Sequence, residues 1–207
     1  MEFNTKLLHG NFKPEEKTGA TTFPIYQSSS FQHKTAEELE NIFNGTDYGF
    51  IYTRINNPTI DSFEKRISSL EKGLGAIACA SGMSAVTLAV LNLLEQGDEL
   101  VSSSGIFGGT YSLFKSLSDF GITSKFAVDA SVESFEQIIT DKTKLIFVET
   151  ISNPRLDVAN IPAIAELAHQ HGIPLVVDNT VTSPYIFRPL EHGADVVIHS
   201  TSKVING

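Results

Sequence analysis

The stretch HSTSKVING sets one lysine, Lys203, among the hydroxyls of Ser200, Thr201 and Ser202, just past the apolar run VVI. Burying a lysine there costs free energy unless it is paired, neutralised or covalently used. On a surface turn it would be ordinary. Other chemistry-bearing residues also follow short apolar runs. Ser81, Gly82, Met83 and Ser84 follow GAIACA, and Gly105 to Gly109, with Phe107 among them, follow ELVSS. Glu149 closes KLIFV with Asn153 and Pro154 just beyond, and Asp178 closes PLVV ahead of Asn179 and Thr180. Singly, each has a bland reading as a turn, a cap or a satisfied strand-end acid. If the runs are parallel strands, their carboxyl ends share one edge, where ligands bind. A helix N-terminus, two acids, an amide, several hydroxyls and a lysine would then converge.

The elements that must position them follow from periodicity. From residue 57 onward, short apolar runs without alternation are interleaved with amphipathic stretches. The runs cover 75–80, 99–103, 124–128, 144–150, 173–178 and 195–200. Such runs predict strands buried on both faces, in an α/β domain whose mostly parallel sheet is layered between helices. Asn57 and Pro58 fit the N-cap and first position of a helix striped by Ile60, Phe63, Ile67 and Leu70, with Gly73 as its stop. Residues 1–58 are an irregular arm, with one helix predicted from Thr35 by the Thr35–Glu38 capping-box pattern. The expected organisation is an arm over 1–58 and an α/β domain over 59–207. The arm's many aromatic side chains imply that it lies against its own domain or a partner subunit.

Composition narrows the function. A net charge of −9 disfavours nucleic acid and anionic membrane surfaces as partners. A single cysteine, Cys79, excludes an internal disulfide and fits a reducing compartment, so the expected setting is the cytoplasm. The start MEFNTKLLHG has no apolar signal core, and no apolar run approaches a membrane span. Neither a Walker A sequence nor a G-x-G-x-x-G occurs, and His169 and His171 do not share a helix face, so no metal site is expected.

One cofactor uses the whole convergent set: pyridoxal 5'-phosphate. Its aldehyde takes a lysine, its pyridine nitrogen takes a carboxylate that keeps it protonated, and its phosphate takes a helix N-terminus with hydroxyls. Its flat ring stacks on an aromatic. Lys203, Asp178, Ser81-Gly82-Met83 with Ser200 and Ser202, and Phe107 supply these in turn.

The motifs PIYQSSSF, YTRINNPT, SGMSA, FGGTYSLF, ETISNP, VVDNTVTSP and HSTSKVING, in this order and spacing, resemble the Cys/Met-metabolism family of fold-type I pyridoxal-phosphate enzymes. The resemblance covers nearly the whole chain. It implies that Lys203 anchors the cofactor and shuttles protons, and that Asp178 pairs with the ring nitrogen. It also implies that Gly82, Met83, Ser200 and Ser202 hold the phosphate, and that Asn153 lies near the phenolic oxygen. Tyr52 and Arg54 would reach the phosphate of a neighbouring subunit, which implies at least a homodimer with shared sites and allows a tetramer. The implied substrate is a small amino acid.

Two departures stand out. The ring-stacking position is commonly tyrosine in this family and is Phe107 here, which removes a hydroxyl near the leaving group. Family members are also much longer, so a fragment lacking the C-terminal domain is expected. The leading expectation is γ-replacement on O-acetylhomoserine by sulfide or a thiol, as in the sulfhydrylase branch. Cystathionine γ-synthase, cystathionine γ-lyase and methionine γ-lyase use the same residues and stay open, as does a cofactor-binding but inactive fragment.

Overall fold

The computed structural model describes residues 2–10 and 18–206, so residues 11–17 of the expected arm lie outside the described residues. The chain divides into two compact units, Met1–Ala78 and Cys79–Gly207.

Among the described residues the first unit contains three helices, α1 (Phe3–His9), α2 (Ala36–Phe43) and α3 (Pro58–Glu71). α2 starts where the Thr35 hydroxyl accepts the Glu38 N–H at 3.1 Å. Glu38 returns the interaction to the Lys34 N–H, one residue earlier than a capping box would have it. Asn57 caps α3 as expected, its side chain accepting the Thr59 N–H at 2.8 Å. The stop differs from expectation: Lys72, not Gly73, takes the left-handed conformation at φ 58°. Outside α2, residues 18–57 are irregular but tied down. Ser30 and Tyr52 form an antiparallel bridge, and the Asn57 side chain donates to the Tyr26 carbonyl at 3.0 Å.

The second unit is built on five strands: β1 (Glu99–Ser103), β2 (Thr123–Ala127), β3 (Thr143–Glu149), β4 (Leu175–Asp178) and β5 (Val196–Ile198). All pairings are parallel and the order is β2-β1-β3-β4-β5. Helices α4 (Gly82–Leu93), α5 (Gly108–Ser116), α6 (Val132–Glu136), α7 (Ile161–Gln170) and α8 (Ser183–Ile186) interleave with them. Alternate strand residues face opposite layers. Leu145, Phe147 and Val176 pack with Val86, Val90 and Phe114 of α4 and α5, while Ile146, Val148 and Val177 pack with α6 and α7. Burial on both faces explains why the strands carry unbroken apolar runs.

Residues 75–80, expected as a sixth strand, form none, and Ile77 is 85% exposed. An apolar run becomes a strand only where another backbone supplies its hydrogen bonds, and among the described residues none does so here.

Candidate active site

The parallel sheet puts the carboxyl ends of β1, β3, β4 and β5 on one edge, and four contacts tie their polar groups together. The first joins the start of α4 to the end of β5. Ser81 caps α4 by accepting the Ser84 N–H at 3.1 Å, while its own N–H donates to the Ser84 hydroxyl at 2.9 Å. That leaves the N–H groups of Gly82 and Met83 without an acceptor among the described residues. A Cβ on Gly82 would stand 2.7 Å from the Ser200 Cβ, so only glycine lets this helix start meet Ser200. Two open N–H groups, a helix dipole and an adjoining hydroxyl make a cradle for an anion such as a phosphate.

The second contact runs from β4 to β5 through Thr180. The Thr180 N–H donates to the Asp178 carboxylate at 2.9 Å, and the Thr180 hydroxyl accepts the Ser200 N–H at 2.8 Å. Burial raises the Asp178 pKa above the ordinary range, while the Thr180 hydrogen bonds and the nearby His199 pull it back. Asp178 has no ion pair with a lysine or arginine among the described residues. A half-buried carboxylate in that state is suited to a cation brought by a ligand.

The third contact is made by Glu149, which is 7% exposed. One of its oxygens accepts the Phe107 N–H at 2.8 Å and the other the Asn153 N–H at 3.0 Å. Burial, reinforced by Asp178 and opposed by the two N–H donors, raises its pKa to about 7. The fourth contact links α5 to α4: the Thr110 hydroxyl meets the Met83 sulfur at 3.9 Å.

Of the residues singled out from sequence, Ser81, Gly82, Met83, Phe107, Asn153, Asp178 and Ser200 fall on this connected edge. Ser202 and Lys203 follow in the exposed turn after β5, where the Lys203 N–H donates to the Ser200 carbonyl at 3.3 Å. Tyr52 and Arg54 belong to the first unit, where the Arg54 guanidinium lies over the Tyr52 ring at 5.5 Å. Sequence reasoning named Thr180 only as a turn residue after Asp178, and it gave no part to His199, which acts on Asp178. It named Glu149 without a partner.

An anion cradle, a half-buried carboxylate with no lysine or arginine partner among the described residues, a half-exposed aromatic at Phe107 and a lysine on the adjoining turn match the needs of pyridoxal phosphate. Comparison with known proteins meets the same chemistry. The profile of the family described as "Cys/Met metabolism PLP-dependent enzyme" matches residues 4–207. An O-acetyl-L-homoserine sulfhydrylase of Leptospira meyeri is 43% identical over 98% of this chain and 46% of its own length. A homocysteine synthase of Schizosaccharomyces pombe is 42% identical over 99% of this chain and 48% of its own. A Campylobacter jejuni chain assigned as an O-acetylhomoserine (thiol)-lyase, solved with a pyridoxyl-lysine phosphate adduct, superposes with a TM-score of 0.91. It is 36% identical, over 98% of this chain and 50% of that one. The chain thus spans about half the length of the relatives it matches. With the matching profile running over nearly its whole length, the chain belongs to the Cys/Met-metabolism family of pyridoxal-phosphate-dependent enzymes.

Proposed function

We propose that this chain carries the cofactor-binding part of an enzyme that replaces the γ-acyloxy group of O-acetylhomoserine with sulfide or a thiol, giving homocysteine or methionine. The observation that carries the reading is the connected edge of Gly82, Ser200, Thr180, Asp178, Glu149, Phe107 and Asn153. When bound, the cofactor supplies an electron sink for charge developing at the substrate α-carbon.

In this reading the residues divide the work. Ser81 aims the Gly82 and Met83 N–H groups at the phosphate, and the Ser200 and Ser202 hydroxyls complete its shell. Asp178 keeps a proton on the ring nitrogen, Phe107 covers the ring face, and Asn153 serves the phenolic oxygen. Lys203 would hold the cofactor at its aldehyde, and its Nζ would move the proton at the substrate Cα. Tyr52 and Arg54, in the arm over 1–58, reach the phosphate held by the α/β domain, 59–207, of a second copy. This makes a homodimer the smallest complete unit and a tetramer a natural assembly of two. The single free cysteine, Cys79, supports a cytoplasmic setting. Among the described residues no helix is long and apolar enough to cross a membrane.

Phe107 favours replacement of an acyloxy group over elimination of a thiol. A carboxylate leaves as a stable anion without taking a proton, whereas a thiolate leaves faster when an acid protonates it. Phe107 has no proton to give.

The experiment is product analysis of the pyridoxal-phosphate-loaded chain with O-acetylhomoserine, offered sulfide or cysteine. Homocysteine from sulfide supports the reading. Cystathionine as the dominant product would replace it with a γ-synthase, and release of an α-keto acid with a γ-lyase. A loaded chain that makes none of these would be an inactive fragment.

A further inference from the structure

Glu149 ends the central strand β3 and has no part in the chemistry above. A buried strand-end acid can simply be a satisfied structural group. Two features argue for more. Its two oxygens accept from two different loops, and the donors are the backbone N–H groups of Phe107 and Asn153, the residues assigned to the ring face and the phenolic oxygen. Phe107 is also the residue just before α5, which has no side-chain cap of its own. Its ring folds back over Gly109, where a Cβ would stand 2.6 Å from the Phe107 Cε1. The Phe107 loop is therefore held at its backbone by Glu149 and at its ring by the missing side chain of Gly109. The Asn153 loop is held at the Asn153 N–H by Glu149, and further on by Ser152, whose hydroxyl accepts the Asp157 N–H at 2.9 Å.

We propose that Glu149 is a positioning residue, a two-armed clamp that sets the Phe107 loop and the Asn153 loop at one fixed separation from each other. The proposal rests on the function proposed above for what the two loops serve, and on the hydrogen bonds alone for the clamp. A carboxylate is required because both arms need an acceptor. A glutamine supplies one acceptor oxygen and would turn an N–H₂ donor on the other backbone N–H, leaving a buried donor unsatisfied. The charge acting on Glu149 is Asp178 on β4, in register with it, and His199 after β5 acts in turn on Asp178. A cation held at Asp178 therefore favours the ionised, two-armed form of Glu149 as well.

The test compares the full chain with its Glu149→Gln variant. In the cofactor-free protein, the amide proton shifts of Phe107 and Asn153 are followed against pH. The clamp predicts that both titrate together with one midpoint, and that neither titrates in Glu149→Gln. Adding pyridoxal phosphate then gives the affinity and the visible circular dichroism per bound cofactor, which reports how rigidly the ring is held. The variant is expected to bind about tenfold more weakly, with clearly reduced dichroism. Separate midpoints, flat amides in the unaltered chain, or unchanged affinity and dichroism in the variant would each overturn the clamp. An unaltered chain that binds no pyridoxal phosphate would instead defeat the functional reading, and the amide titration would still decide the clamp.

Discussion

Gly82 and Ser200 touch across the ends of α4 and β5, so closely that a methyl group on Gly82 would sit 2.7 Å from the Ser200 Cβ. Gly82→Ala must push the helix start away from Ser200 and open the anion cradle. Pyridoxal-phosphate affinity is expected to fall about tenfold, or about 1.4 kcal/mol. Gly108→Ala is the control, because a Cβ there meets nothing within 4 Å. Equal affinities for the two variants in a spectroscopic titration would mean that the phosphate does not use this junction.

The in-register pair of Glu149 and Asp178 gives the cofactor-free chain a pH dependence with a definite sign. Burial raises both pKa values, Glu149 from 4.5 to about 7. Between those two values the native state holds a proton that the unfolded chain has released. Glu149 therefore favours the native state most below 4.5, and that advantage declines as pH rises toward about 7. The loss is roughly 3 kcal/mol at most. Denaturant titrations at about pH 5 and about pH 8 should show it, and Glu149→Gln should show it reduced. An identical pH slope in the variant would contradict the assignment.

Asp178→Asn keeps the shape of the site and removes the charge proposed to hold a ring proton. Cofactor should still bind, while turnover falls on the order of a hundredfold, as losing about 2–3 kcal/mol of charge-assisted hydrogen bonding implies. Steady-state kinetics of the loaded variant measures this. Near-normal turnover would move the role to another acid, with Glu149 next in line.

Tyr52 and Arg54 make a prediction about assembly. Arg54→Ala and Lys203→Ala subunits are each expected to be defective. A mixed dimer would have one site carrying both lesions and one carrying neither. Activity recovered on mixing supports a site shared between subunits. No recovery, with subunit exchange verified, would mean that each chain completes its own site.

Much of the sheet was legible because its strands are buried on both faces and so carry unbroken apolar runs, each ending in a polar group. That pattern placed Asp178, Glu149 and Phe107 at the carboxyl ends of strands, and Lys203 on the turn after the last one, without any contact being known. It failed at 75–80, because an apolar run carries no record of whether a partner backbone exists. It failed at Lys72 because a glycine one residue later looked like the better helix stop. The roles of Thr180 and His199 were invisible for another reason. A threonine in a turn and a histidine after a strand are ordinary until the Asp178 carboxylate is seen beside them. Tyr52 and Arg54 had no signal of their own, and only the family resemblance singled them out.

The central claim is that Lys203 is the covalent anchor of pyridoxal phosphate. Borohydride reduction of the loaded chain, followed by proteolysis and mass spectrometry of the pyridoxyl-bearing peptide, tests it most directly. The account predicts a visible chromophore that bleaches on reduction, a single labelled peptide modified at Lys203, and no such label in Lys203→Ala. A label on any other lysine, or a reducible chromophore retained in full by Lys203→Ala, would contradict it.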